Sequence, residues 1–400
     1  MVNQHSTFIH MAPIEIGVLY SSTGVTAAVE ETQRRAVLMA IEEINDAGGV
    51  LGREIVPVCV DPASNPRLYG QLSEQLIIES GIRLFLGCYM SSSRKAVIPL
   101  VERHDALLFY GTAYEGFEFS RNVFYGGAVP NQNILPLAGY MLERHGSRVA
   151  LIGSDYVCPH EANRVMSELI HERGGSKALE TYLPLDAGAR DYEAAAQAIR
   201  RSGVDFIYST VVGEGMARLH RALERAGIDR QRVPVASHMS CEADVQAIGT
   251  ELAEGLITCS TYFESVDTEA NGKAIQRYRQ RFGADARTNA SWEAAYVQTH
   301  LLVRAIGVSG STEPVHISRA MAGLEMDAPQ GRICVDGNNH HTHLNPRIGR
   351  CNANGSFDIL AEAPEPVIAD PYVMSHVPPA WAGRPYPRYN GTGKVAVGAA

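Results

Sequence analysis

The sequence predicts an α/β protein of two successive units, each a parallel sheet covered by helices. Three observations carry this. Short apolar runs with strand character alternate with longer runs whose apolar residues recur at helical spacing. The rhythm runs from Ile14 to Tyr110 and restarts near Asn133. Glycine and small polar residues punctuate the junctions.

In the first unit, Ile14 to Tyr20 is a strand that breaks at Ser21-Ser22-Thr23-Gly24. Val37, Leu38, Ile41 and Ile44 share one helical face, and Gly48-Gly49 ends that helix because glycine accepts the left-handed C-cap. Strand Ile55–Val60, helix Leu68–Ile78, strand Arg83–Gly87, helix Ser91–Arg103 and strand Ala106–Tyr110 follow. The second unit reads as helix Asn133–His145, strand Arg148–Gly153, helix Glu161–Glu172 and strand Ala178–Leu183. Helix Asp191–Arg201, strand Val204–Tyr208, helix Met216–Ala226 and strand Val233–Ala236 complete it. Helices near Thr268–Phe282 and Ser291–Ile306 and strands near Gly331–Val335 and Arg347–Gly349 come last, before a Pro-, Gly- and Tyr-rich tail. Alternation of this kind implies parallel sheets buried on both faces.

Lys plus Arg number 35 against 44 Asp plus Glu, a net charge of −9 over 400 residues. This gives no basic face for nucleic acid. No apolar run approaches the roughly 18 residues of a membrane helix, so no membrane insertion is expected. Residues 1–13 lack a basic start and an apolar core, which predicts a cytoplasmic protein; a periplasmic one stays open if a leader has been removed. The seven cysteines are odd in number and none form C-x-x-C, which argues for reduced thiols and against zinc. Cys59 and Cys88 could pair in an exported protein.

Ligands of open parallel sheets bind beyond the carboxyl ends of the strands. The tips after the predicted strands, such as Cys88-Tyr89-Met90-Ser91 and Gly111-Thr112-Ala113-Tyr114, are rich in hydroxyls and tyrosine and nearly free of Lys and Arg. They suit a small, polar, neutral ligand rather than a phosphate. Enzyme signatures fail: Gly391-Thr392-Gly393-Lys394 lacks the spacing and helix of a P-loop, and neither G-x-S-x-G nor a dinucleotide fingerprint is present. Asn338-Asn339-His340-His341-Thr342-His343 reads as a polar loop rather than a metal site. No catalytic residue, metal or cofactor is expected.

Long stretches carry a resemblance: Gly87 to Val97, Tyr110 to Glu118, Phe124-Tyr125-Gly126-Gly127, Ile152 to Tyr156, Ser209 to Gly213 and Asp327 to Gly331. From about Ile14 to Val373 the chain resembles the type I periplasmic-binding-protein family. It is most similar to the amide-sensing branch, beside the branched-chain amino acid, urea and short-chain amide binding proteins. The resemblance implies a two-lobed clamshell with three inter-lobe crossovers. One lobe would hold residues 12–128 plus 256–328 and the other 129–255 plus 329–375, with 376–400 a peripheral or disordered tail. It implies that Tyr89, Ser91, Tyr110, Thr112 and Tyr156 hold a small amide, with Cys158, Ala113, Gly213 and Glu214 beside them.

Local readings stand next to these roles. Against the ligand role, Ser91 also reads as a helix N-cap, Tyr89 and Tyr110 as inter-lobe packing, Thr112 as a strand end, and Tyr156 as a surface residue near the hinge, each the weaker reading. Glu214 reads better as a helix N-terminal charge than as a ligand contact. Cys158 and Ala113 replace a bulkier tyrosine and proline of the amide-sensing branch, which predicts a roomier pocket. Two functions follow from the resemblance. One is a ligand-responsive negative regulator of an amidase operon, acting on an RNA-binding antitermination partner. The other is the solute-binding component of an urea, amide or branched-chain amino acid ABC transporter, with a permease as partner. A second copy of the chain is a further possible partner.

Overall fold

The computed structural model describes residues 12–375 and 379–383, with two residue pairs at 389–390 and 394–395. Residues 1–11 and Gly391–Gly393, which carried the readings on a leader and a P-loop, lie outside the described residues, as does most of the tail.

The first lobe opens with β1 (Ile14–Leu19), α1 (Ala27–Asp46), β2 (Ile55–Val60) and α2 (Pro66–Ser80). It continues with β3 (Leu84–Gly87), α3 (Ser91–Arg103), β4 (Leu107–Tyr110) and β5 (Val123–Tyr125). The strands form one parallel sheet in the order β2-β1-β3-β4-β5. Local chemistry sets the ends. Asn65 caps α2 by accepting from Arg67 N at 3.0 Å, Pro66 occupies the first turn, and Gly81 takes the left-handed stop.

The second lobe holds α4 (Ile134–Arg144), β6 (Arg148–Ser154), α5 (Val157–Glu172), β7 (Ser176–Leu183) and α6 (Ala189–Ser202). Then come β8 (Phe206–Thr210), α7 (Glu214–Arg225), β9 (Val235–Ser237), α8 (Glu242–Ile248), α9 (Thr250–Ala253) and β10 (Ile257–Ser260). The chain returns to the first lobe for α10 (Glu269–Phe282), α11 (Ala290–Ser309), α12 (Pro314–Met321) and a ribbon of β11 (Glu325–Ala328), β12 (Gly331–Val335) and β13 (Thr342–His343). It ends in the second with β14 (Arg347–Cys351) and β15 (Phe357–Glu362). The second sheet runs β15-β14-β10-β9-β8-β6-β7, antiparallel only at the β14 pairings.

The lobe boundaries differ from the expected ones at both later crossings. Strand β10 is hydrogen-bonded between β9 and β14, so the second crossing follows Ser260 rather than Leu256. Ala328, Ile333, Val335 and Leu344 pack into the first lobe's core, so the third crossing lies near Asn345 rather than residue 329. In the tail, Trp381 and Ala382 are buried against α4 and β15 of the second lobe.

Two buried side chains tie the crossings together. Gln132, just before α4, donates to the carbonyls of Thr342 (3.0 Å) and Val367 (2.8 Å). Arg347 donates to the carbonyls of Thr261, Asn345 and Gln330, all within 2.9 Å, and pairs with Glu362. The three histidines of the polar loop point apart. His340 stacks on Phe124, His341 bonds Tyr114 at 2.6 Å, and His343 faces Asp336 at 3.3 Å. All seven cysteines are free, so Cys59 and Cys88 do not pair.

Candidate functional site

The lobes meet along the carboxyl ends of both sheets. In the first sheet the strand order reverses at β1, between β2 and β3; in the second it reverses at β6, between β7 and β8. The loops after these strands touch across the interface. Ala243 of α8 packs on Val29, Tyr89 and Met90. Gly213 has φ +60, and a Cβ there would stand 2.8 Å from Val25 O. The Arg164 guanidinium lies 4.9 Å from the Phe117 ring. The Cys158 thiol, just past Tyr156, is buried with Glu115 and Ser91 as its neighbours.

Beside these contacts lies a cleft whose space between the walls is about 540 Å³ when the part open to solvent is counted. The first lobe contributes Tyr89, Gly111, Thr112, Ala113 and the first turn of α11 at Ser291. The second contributes His238 to Cys241 after β9. The crossings contribute Gly127, Asn133 and Thr261, and the end of β10 contributes Cys259 and Ser260. None of the residues lining it is Lys, Arg, Asp or Glu.

Of the predicted residues, Tyr89, Thr112 and Ala113 line this cleft. Thr112 Oγ1 accepts from Gln33 Nε2 at 3.2 Å, which leaves its own hydrogen to donate. Ser91 opens α3, but its hydroxyl is committed to the buried Glu115 carboxylate and also accepts from Arg94 at 3.2 Å. Ser91 is not the cap either, since Met90 holds that position. Tyr110 is fully buried, donates to Tyr89 O at 2.8 Å and lies beneath Arg94, 4.7 Å from ring centre to guanidinium carbon. Tyr156 is half-buried, with Cys158, Tyr89, Tyr110 and Glu115 as titratable neighbours. Cys158 does not line the cleft, so its smaller side chain opens no room there. Glu214 pairs with Arg218 at 2.7 Å on the outer face of α7, 74% exposed, which is the helix-terminus role.

Asn133, His238, Ser240, Cys241, Cys259 and Thr261 were not legible as site residues. The loop after β9 follows an identified strand and carries the same hydroxyl-rich character as the other tips, so that signal existed. Strand β10 is four residues long and was not recognisable as a strand, which hid Cys259 to Thr261.

Burial sets the electrostatics. The His238 imidazole is pushed down to about 3 and stays neutral, its Nδ1 2.6 Å from Tyr208 Oη. Burial raises the Cys241, Cys259 and Tyr89 acids, so none supplies an anion. Behind the Cys241 loop, Glu242 Oε1 accepts from Glu264 N at 2.8 Å, while its Oε2 has no partner. Burial pushes the Glu242 carboxyl up to about 8, against the opposing Glu264 N–H, and the Glu264 and Asp244 carboxylates add to the rise.

The folded protein therefore holds this proton over a range where the unfolded chain, near 4.5, has lost it. The stabilisation is complete below about 4.5 and is lost as pH rises through 8. Urea unfolding from pH 5 to 8 is expected to show stability falling by a few kcal/mol from this group, at about 1.4 kcal/mol per unit of separation. Glu242→Gln is expected to flatten that fall. A profile that keeps its slope in the variant would place the titration elsewhere.

Residues 14–378 match the family described as periplasmic binding protein domain. The chain belongs to this family. Among curated relatives, the leucine-, isoleucine-, valine-, threonine- and alanine-binding protein of Pseudomonas aeruginosa is 24% identical over 331 residues, 81% of this chain and 86% of that protein. A Leu/Ile/Val-binding protein homolog of Brucella suis is 22% identical over 71% of this chain and 74% of its own length. Among solved structures, an ABC-transporter solute-binding protein of Rhodopseudomonas palustris in complex with p-hydroxybenzoic acid superposes with a TM-score of 0.82 at 21% identity, covering 91% of this chain and all of that one. A branched-chain amino acid binding protein of Streptococcus pneumoniae in complex with isoleucine gives 0.75 at 18% identity, covering 88% of this chain and 98% of that one.

Membership of a periplasmic binding protein family corrects the expectation of a cytoplasmic protein. The thiol argument behind that expectation loses its force in the fold. Five of the seven cysteines are buried, and a buried thiol escapes oxidation in either compartment. The two-lobed clamshell implied by the resemblance is the observed architecture. None of the four relatives just described is named as an amide sensor or an operon regulator.

Proposed function

We propose that the protein is the solute-binding component of an ABC importer and holds a small uncharged polar compound, of the amide or urea class, between its lobes. The observation that carries the ligand class is the lining of the cleft, which contains no charged side chain. An amino acid zwitterion would bring an ammonium group with no carboxylate at the wall. An unpaired buried charge costs several kcal/mol, which is enough to decide between ligand classes. The hydroxyls of Thr112 and Thr261, the Asn133 amide and neutral His238 instead match a ligand with mixed donors and acceptors and no net charge.

The transporter role is supported by the relatives, whose names include solute- and amino acid-binding proteins of ABC transporters. It places the protein in the periplasm with a membrane permease as partner. The regulator role shares the same pocket and has no such support. Binding without catalysis fits the site chemistry: burial holds the thiols protonated and makes the His238 imidazole a weak base, its acid pushed down to about 3, which leaves neither a thiolate nor a strong base to activate one.

Calorimetric titration with acetamide, propionamide, urea, leucine and 4-hydroxybenzoate tests this. Binding of an amide or urea with a Kd near 1 μM, about −8 kcal/mol, is the expected result. Binding of leucine or 4-hydroxybenzoate with no response to the neutral compounds would overturn the ligand class.

A further inference from the structure

Asn133 occupies a singular position. It stands at the end of the first crossing, where the chain leaves the first lobe, and it caps the first helix of the second. Its Oδ1 accepts from Ile134 N at 2.7 Å, which fixes the plane of the amide. Its Nδ2 has no hydrogen-bond partner, the side chain is 1% exposed, and the residue lines the cleft. Burying an N–H₂ without an acceptor is unfavourable, so such a group in a binding protein calls for an acceptor that arrives with the ligand.

We propose that Asn133 donates to a carbonyl oxygen of the ligand and thereby ties ligand occupancy to the first crossing between the lobes. This rests on the reading above that the ligand sits in the inter-lobe cleft. Asn133 is held by its cap, so it presents a donor and cannot turn to present its oxygen. The ligand atom facing it is then an acceptor. The neighbouring crossing is stiffened by Gln132, whose Nε2 bonds Thr342 O and Val367 O. A ligand bond at Asn133 therefore acts on a segment already clamped to the third crossing.

Two substitutions separate recognition from folding. Asn133→Asp and Asn133→Ser both keep an oxygen able to cap α4 and both remove the N–H₂ donor. Propionamide and propionamidine differ in the atom that would face it, since the amidine replaces the carbonyl oxygen with a donating nitrogen and carries a positive charge. The wild type is expected to prefer propionamide at least tenfold. Asn133→Asp is expected to reverse that preference, at the cost of a lower thermal midpoint in the ligand-free protein because its carboxylate is buried, and Asn133→Ser to lower propionamide affinity at least tenfold with that midpoint unchanged. A purely structural role would weaken both ligands together and leave their ratio unmoved. Affinity for propionamide within twofold of wild type in both variants would overturn the proposal. Should leucine bind in place of the amides, the neutral-ligand reading falls separately. The Asn133 proposal then stands if Asn133→Asp, facing the leucine carboxylate, lowers affinity tenfold, and falls if it does not.

Discussion

Replacing Arg94 with methionine is expected to lower the unfolding free energy at pH 7 by about 3–5 kcal/mol, because it strips the cation from a buried cluster of carboxylates. Arg94 is fully buried. Its Nε lies 2.7 Å from Glu118 and its Nη2 lies 3.2 Å from Glu115, while its guanidinium sits 4.3 Å from the Tyr114 ring. Lys95, half exposed, is the remaining cation, 3.0 Å from Glu118 and 4.0 Å from Glu115. Burial works to raise the Glu118 carboxyl, yet Arg94 and then Lys95 outweigh it and hold the group below its ordinary range. Removing Arg94 leaves the two buried carboxylates with the half-exposed Lys95 as their nearby cation. The triple variant Arg94→Met, Glu115→Gln, Glu118→Gln is expected to recover much of the loss, since no buried charge is then unpaired. Urea unfolding of the wild type and both variants measures this. A single variant within 1 kcal/mol of wild type would mean that water or Lys95 compensates the cluster. The same cluster holds the Ser91 hydroxyl, which loses the Arg94 donor in the single variant and keeps its bond to Glu115.

Gly127→Ala is expected to abolish ligand binding and to cost about 1–3 kcal/mol of stability. A Cβ at this position would lie 2.0 Å from the Thr112 carbonyl carbon and 2.4 Å from Ala113 N. Both contacts are backbone, so no side-chain rotation relieves them. The first crossing would have to move away from the loop that follows β4, and Thr112, Ala113 and Gly127 all line the cleft. The change therefore reshapes the wall from both sides. Titration with the ligand that binds the wild type, alongside urea unfolding, reads the two effects. Unchanged affinity would show that the crossing can slide past the Thr112 loop without disturbing the site.

The sequence by itself determined the class of fold. Runs such as Leu84–Gly87 and Leu107–Tyr110 are apolar throughout, as strands buried on both faces must be, and the helices between them declare themselves by periodicity and by stops such as Gly48-Gly49. The long matching stretches also singled out Tyr89, Thr112 and Ala113, which line the cleft, because the tips after parallel strands meet at the carboxyl ends of such a sheet. Tertiary structure alone decided what each tip does. Ser91 looked like a free hydroxyl at a helix start, but Glu115 lies 24 residues away and captures it. Cys158 looked like an opening in the pocket wall, but it is buried where the two lobes meet. Asn133 looked like an ordinary start to a helix, and only the tertiary structure leaves its buried amide unpartnered at a residue that lines the cleft. The second and third crossings were misplaced because β10 and the β11–β12–β13 ribbon are short, and short strands take their place from their neighbours rather than from their own residues. Periodicity reports which face of an element is buried. It carries no record of which distant side chain, or which lobe, does the burying.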